Sequence, residues 1–302
     1  MRIQLDWFGE RLVQRLADIE TGRIAPAVPR DAATVMVLRS PSGGTTGAAE
    51  SPGTGAPSGV EVLMLRRVAA MKFAPGAYVF PGGSVDPADF GAAIGWHGPS
   101  PAEFGARLGA SAEMARALVC AAVRETFEES GILLAGPPGG GPLAALSGPS
   151  WEADRAALAS GALTLAELLS RRGLVLRADL LVPWTRWITP EGEPRRFDAR
   201  FFVAALPVGQ VVTGHEAESD HVAWLRPAAA IEAARAGEIS LLPPTATTLH
   251  DFAAIVGDDG ADGGGLADIL GARPAIEPIT PSLMLEDGQA WLVLPDEVGY
   301  PL

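Results

Sequence analysis

Arg124-Glu125-Thr126-Phe127-Glu128-Glu129-Ser130-Gly131-Ile132 is the stretch on which the reading of this chain turns. Steps of three and four residues on a helix place Glu125, Glu128 and Glu129 within one arc about 100° wide. Three carboxylates so placed repel one another. A hard divalent cation is a natural compensation, because it takes oxygen ligands. The same pattern also describes a solvated acidic face. Gly131 stands where a glycine ends a helix in a left-handed conformation, so the stretch closes a helix that begins near Ser111.

Working outward, two β-type runs precede that helix, Ala32–Leu38 and Val60–Leu65. Between them 41–59 has no aliphatic residue larger than alanine and reads as a flexible loop. The pair is expected to form an antiparallel hairpin with an inserted tip. A short strand, Ala77–Phe80, then meets the sharp turn Pro81-Gly82-Gly83. Downstream, 151–160 and 164–172 read as helices, and Leu180–Ile188 and Phe197–Leu206 as strands. Ala223–Leu225 could end a further strand, and 228–236 and 244–256 read as helices. A last strand is expected at Trp291–Leu294. Irregular alternation of strands and helices argues for an α/β fold with a mixed sheet.

The composition bounds the function. The chain has 302 residues, 48% hydrophobic and 20% charged, which suits a globular protein with a sizeable core. Acidic residues outnumber basic ones 36 to 23, for a formal charge of −13. That balance argues against general nucleic-acid binding. Phosphorylated small molecules stay open, since a metal ion reverses the local field. The single cysteine, Cys120, excludes an internal disulfide and reads as a small buried hydrophobe. No apolar run is long enough to span a bilayer, and the charged N-terminus does not read as a signal peptide. The expectation is a cytoplasmic protein with no membrane partner, and a homodimer is left open.

Arg-Glu-x-x-Glu-Glu-x-Gly-aliphatic is the second half of the Nudix box, and the chain resembles the Nudix hydrolase family. Two departures stand out. The position eight before Arg124 is Arg116 where the box has glutamate, and Gly83 lies 41 residues (124 − 83) before Arg124 where the intact box has 14. The difference, 27 residues, is placed between Ser84 and Ala112. An insertion there is typical of the Nudix motif 19 branch, whose members cleave coenzyme A and acyl-coenzyme A. Leu63-Met64-Leu65-Arg66-Arg67, Phe73 through Gly83 and Asp86 look like that branch's approach to the site. Trp187-Ile188-Thr189-Pro190, Arg195-Arg196-Phe197-Asp198, Phe201-Phe202, Trp224-Leu225 with Pro227, and Leu242-Pro243-Pro244-Thr245 look like its later signature. The likeness covers about residues 30 to 250 of the chain.

The resemblance implies a Nudix fold, an α/β/α sandwich around a mixed sheet. It divides the chain into an N-terminal helical segment (1–30), a Nudix domain (31–235) and a C-terminal helical extension packed on it (236–302). The insertion 84–112 would sit beside the pocket and shape acceptance of a pantetheine arm. It further implies a small-molecule diphosphate substrate and Mg²⁺ or Mn²⁺, which hard oxygen ligands select over zinc. Glu125, Glu128 and Glu129 would be the metal ligands. Glu125, Arg124 and Glu128 would be the catalytic group, with Glu125 as third ligand or proton acceptor and Arg124 orienting a glutamate. Read from spacing alone, Arg124 and Glu128 are an i,i+4 ion pair.

Other candidates have two readings each. Gly82 and Gly83 either bring backbone close to a ligand or make a plain tight turn. Arg66, Arg67, Lys72, Arg195 and Arg196 are the cations for a diphosphate, or surface charges. Glu216 and Glu218 are an additional base or ligand, or solvated loop carboxylates. Tyr78, Trp184 and Trp187 stack on adenine or fill the core. Asp198 could pair with Arg196 or Arg200. The expected activity is hydrolysis of coenzyme A or its acyl form to 3′,5′-ADP and (acyl-)4′-phosphopantetheine. NADH or ADP-ribose diphosphatase is the alternative, and a non-catalytic ligand-sensing module is the alternative of another class.

Overall fold

The structure is a computed structural model that describes residues 1–4, 10–41, 59–68, 74–91, 93–146, 148–213, 219–257, 265–286 and 289–302. The chain opens with strand β1 (Arg2–Gln4) and helix α1 (Glu10–Glu20). It then lays down β2 (Arg30–Arg39), β3 (Glu61–Arg67), β4 (Ala77–Val79) and β5 (Gly82–Ser84). Helix α2 (Ala88–Gly91), strand β6 (Trp96–His97) and helix α3 (Pro101–Leu108) lead into the long α4 (Ala112–Ser130). After β7 (Ala135–Gly136) come α5 (Pro149–Ala159), α6 (Leu165–Arg172), β8 (Val175–Arg177), β9 (Val182–Ile188), β10 (Phe197–Ala205) and β11 (Ser219–Leu225). The remainder holds α7 (Pro227–Arg235), β12 (Ser240–Leu241), α8 (Pro243–Val256), α9 (Leu266–Gly271), β13 (Pro278–Ile279), β14 (Ser282–Glu286) and β15 (Gln289–Val293).

The central sheet is mixed and runs β12-β4-β3-β2-β10-β9-β13, with β11 added on β3 and β5 on β2. Its longest pairing is parallel, β2 on β10, from Arg30↔Phe197 to Leu38↔Ala205. The expected hairpin is present: β2 and β3 pair antiparallel at Leu38↔Val62 and Arg39↔Glu61. The loop assigned to 41–59 lies almost wholly outside the described residues.

Strand alternation sends successive side chains to opposite faces, and both faces here are apolar. Ala33, Val35, Val37, Leu63, Leu65 and Phe202 join the core under α4. Met36, Leu38, Val62, Met64, Phe201 and Val203 join the core under α7 and α8. Helices cover both faces of the sheet, which makes the sandwich. α4 is capped at both ends. The Ser111 hydroxyl accepts from the Met114 amide (3.1 Å), and Gly131 takes φ 73°. A cap of the first kind contributes about 1 kcal/mol.

Two expectations need correction. The N-terminal segment is not helix alone, since β1 pairs with β15 in a separate sheet β1-β15-β14. The stretch from 236 holds helices α8 and α9 but also strands, and β12 and β13 form the two ends of the central sheet. In the stretch assigned to the insertion, α3 buries Phe104 and Leu108 in the core it shares with α4. Among the described residues no helix is long and apolar enough to cross a membrane.

Candidate active site

The last two turns of α4 face the short strand β5. β5 is held by pairing with β2 at Ala32↔Ser84, Ala33↔Gly83 and Thr34↔Gly82. The Gly82 amide donates to Glu129 Oε2 at 3.0 Å. A Cβ built on Gly83 would fall on the Glu125 carboxylate, and one on Gly82 would meet the Ala33 carbonyl and Thr34. Neither glycine has a positive φ. The close approach is of protein to protein, Gly83 to the Glu125 side chain and Gly82 to β2, and not the approach to a ligand or the plain turn named above. A side chain at Gly83 would displace the Glu125 carboxylate, and one at Gly82 would crowd the β2 backbone.

Arg124 is the centre of the site. Its Nη1 donates to Glu125 Oε1 (2.9 Å) and Glu128 Oε1 (3.3 Å), so the i,i+4 pair is present and Arg124 also touches Glu125. Nη2 donates to the Ser84 carbonyl (2.9 Å). Nε and Nη2 together engage the Asp89 carboxylate at 3.2 and 3.1 Å, a bidentate pair. Burial acts to lower the Arg124 pKa, but the hydrogen bonds and charges of Asp89, Glu125 and Glu128 outweigh it, so the net shift is upward. The guanidinium is charged at any working pH.

Sequence reasoning missed Asp89, which is 3% exposed. Its signal was present. Asp89 lies six residues after Gly83, the interval at which the Nudix box has its first glutamate. It is an acid one methylene shorter. From Asp89 to Arg124 is 35 residues (124 − 89), against eight in the intact box, so the 27 extra residues follow Asp89 rather than Ser84. Ser84 and Asp89 belong to the site.

The remaining candidates scatter. On β3 the alternation turns Arg67 to the face of Leu63 and Leu65, where α4 lies, and Arg66 to the face of Val62 and Met64. Arg196 is buried and bound to backbone, donating to the Thr189 carbonyl (2.8 Å) and the Ala27 carbonyl (2.9 Å). It fastens the β9–β10 turn to the segment before β2. Arg195 is exposed in the same turn. Asp198 pairs with Arg200, as one reading held, and also takes Arg186 in a bidentate pair. Tyr78, Trp184 and Trp187 are buried in the core under α7 and α8, where the Trp184 and Phe252 rings lie 5.0 Å apart. Lys72, Glu216 and Glu218 lie outside the described residues.

Among the described residues no three His, Cys, Asp or Glu side chains are arranged to hold a metal ion. Contacts of Glu125 and Glu128 go to Arg124, and one of Glu129 goes to Gly82. The chemistry of the donor set nevertheless fits a hard divalent cation. Three carboxylates share one arc of α4, and two of them, Glu125 and Glu129, lie against the glycine backbone of β5. Carboxylates offer about four lone-pair sites each, so an arginine contact does not exhaust them.

This fold and this helix–strand arrangement define a protein class. The chain has the fold of the Nudix hydrolases and resembles that superfamily. The family model described as the NUDT19 Nudix domain matches residues 104–251, and within the superfamily the chain resembles the NUDT19 branch. It is 31% identical over 253 residues to acyl-coenzyme A diphosphatase NUDT19 of Gallus gallus, covering 71% of this chain and 65% of that protein. Against the Homo sapiens protein of the same name it is 32% identical over 223 residues, covering 62% of this chain and 58% of that one. The chain thus spans between half and two thirds of the length of these relatives. A crystal structure of a Nudix hydrolase from Alicyclobacillus acidocaldarius superimposes with a TM-score of 0.62 at 28% identity, covering 82% of this chain and 98% of that one.

Proposed function

We propose that the chain is a divalent-metal-dependent diphosphatase acting on coenzyme A or acyl-coenzyme A. The observation that carries the reaction class is the α4–β5 arrangement: Glu125, Glu128 and Glu129 on one arc, closed against Gly82 and Gly83, with Arg124 anchored by Asp89 and Ser84. The substrate rests on the printed names of the NUDT19 relatives.

Glu128 and Glu129 would hold Mg²⁺ or Mn²⁺, with Glu125 as third ligand or as the group that takes the proton from water. A bound divalent cation neutralises charge on the diphosphate and lowers the pKa of a water. Arg124 keeps Glu125 and Glu128 aimed while Asp89 fixes the guanidinium. Water adds to one phosphorus in line, the bridging P–O bond breaks, and the bridging oxygen leaves on the other phosphate. No covalent enzyme intermediate is needed. The products from coenzyme A are 3′,5′-ADP and 4′-phosphopantetheine. Arg67, on the α4 face, and Lys72 are the proposed phosphate cations. Glu216 and Glu218 are proposed as an additional base or ligand.

The test incubates wild type and Glu128→Gln with Mn²⁺ and coenzyme A, acetyl-coenzyme A, NADH and ADP-ribose, with products read by mass. Release of 4′-phosphopantetheine by wild type alone is the expected result. Turnover of NADH or ADP-ribose instead would reject the substrate. No turnover, with Mn²⁺ still bound, would reject catalysis in favour of ligand sensing.

A further inference from the structure

The C-terminal end of α4 is held by an unusual buried cation. A helix leaves its last four carbonyls without intrahelical partners. Here the Phe127 carbonyl accepts from the Gly131 amide, the Ser130 carbonyl accepts from the Thr213 amide (2.9 Å each), and the Glu128 carbonyl accepts from Arg155 Nε (2.9 Å). Arg155 comes from α5. Its Nη1 donates to Thr213 Oγ1 at 2.7 Å, so one guanidinium bridges the helix end and the loop after β10. Gln210 fastens the same loop, accepting from the Leu133 amide (2.9 Å) and donating to the Leu133 and Leu143 carbonyls (3.0 and 2.9 Å).

Packing alone does not explain an arginine there. Arg155 is 4% exposed. Its ion-pair partner among the described residues, Glu152, is 3.7 Å away and itself 63% exposed. Nη2 is buried with no hydrogen-bond partner among the described residues. Burial lowers the Arg155 pKa, offset in part by Glu152. An apolar side chain of like volume would avoid these penalties. What favours a cation is the negative end of the α4 dipole and the orphan carbonyls. α5 is also well placed to hold it rigidly, since Trp151 packs edge-on against Phe127 of α4.

We infer that Arg155 is a positioning residue for the metal-binding turn: by gripping the Glu128 carbonyl and Thr213 it fixes the backbone that carries Glu128, beside Arg124, and Glu129, against Gly82 of β5. It acts through the backbone and not on the carboxylates. The inference rests on the proposed reading of Glu125, Glu128 and Glu129 as metal ligands. Fraying of the last turn would draw Glu129 off the Gly82 amide and Glu128 off Arg124 without unfolding the domain.

The test is Mn²⁺ binding by the full chain, measured from the electron paramagnetic resonance signal of free Mn²⁺, with no substrate present. Arg155→Met is expected to weaken Mn²⁺ binding about tenfold, the usual scale for a residue that orients ligands from behind. Arg155→Lys should recover part of the loss, because it keeps a charge at the helix end. Thr213→Val should give a smaller loss with an unchanged circular dichroism spectrum. A folded Arg155→Met that binds Mn²⁺ as wild type does would overturn the inference and leave the ligand reading intact. Should Arg155→Met not fold, unchanged affinity in Thr213→Val would overturn it. A wild type that binds no Mn²⁺ would overturn both.

Discussion

Replacing Asp89 by alanine removes the anchor of Arg124. The Asp89 side chain is 2% and the Arg124 side chain 13% exposed, so the pair is largely shielded from water. Two hydrogen bonds to the guanidinium disappear, and so does the one accepted from the Asp86 amide (2.8 Å). Breaking a buried pair by removing one partner destabilises by about 3–5 kcal/mol. Arg124 keeps Ser84, Glu125 and Glu128, so the lower end, about 3 kcal/mol, applies here. At about 2.1 cal/mol/K per residue, the unfolding entropy of 302 residues is about 0.6 kcal/mol/K, and the melting temperature should fall by about 5 °C. A second effect separates this pair from an ordinary ion pair. Released from Asp89, the guanidinium keeps Glu125 and Glu128 as its only carboxylate partners among the described residues and competes with a cation for them more strongly. Mn²⁺ affinity should therefore fall by about tenfold. Asp89→Asn keeps the shape and one neutral acceptor, and should lie between. Scanning calorimetry and Mn²⁺ titration read the two effects. A melting temperature within about 1 °C of wild type, on the same conversion, together with unchanged Mn²⁺ binding, would refute the reasoning.

Gly83→Ala puts a methyl group where the Glu125 carboxylate lies, and the carboxylate, being the flexible partner, must move. Mn²⁺ affinity should drop about tenfold with little change in melting temperature; a melting loss with intact affinity would contradict the close-approach account. Arg196→Gln should lower the melting temperature while leaving KM for the diphosphate unchanged, since Arg196 is bound to the Thr189 and Ala27 carbonyls. A several-fold rise in KM would restore it as a substrate cation. Burial raises the Cys120 thiol to about 12, so native protein at pH 8 should resist thiol reagents and react only on denaturation. The linkage has a definite sign. The unfolded thiol titrates near 9 and the folded one does not, so this contribution to stability is constant below that point and declines as pH rises from about 9 to 12.

The site was legible in the sequence wherever its geometry is local. Three glutamates at helical spacing, an N-cap at Ser111 and Gly131 after the last turn are short-range facts, and α4 follows from them. Alternation in Ala32–Leu38 and Val60–Leu65 likewise carries both faces of the central sheet. What could not be read depends on distant partners. Asp89 meets Arg124 across 35 positions, and an extra segment hides the interval. Arg196 carries the same formal charge as Arg67, and only the fold shows that backbone carbonyls claim it. Arg155 gave no signal, because a charged residue at that position of an amphipathic helix reads as solvent-facing. β12 and β13 are two residues long, too short for a period to register, yet they end the sheet.

The parallel pairing of β2 with β10 has a consequence for how the chain is made. Its partners are separated by 167 positions (197 − 30), and β2 is the strand on which β3, β5 and β10 all depend. At synthesis rates of about 5–20 residues per second, β2 waits about 8–33 s for its long partner to emerge. During that interval Val35, Met36, Val37 and Leu38, all fully buried in the finished protein, can be covered by β3, β5 and α4 but not yet by β10, α7 or α8. Ribosome-stalled chains ending before residue 197 should bind a holdase chaperone and be cut readily in β2, whereas chains reaching past β11 should resist both. β1 waits longer still, since its partner in β15 lies 291 positions on at Arg2↔Val293. The terminal sheet therefore closes last, over a core that is already set.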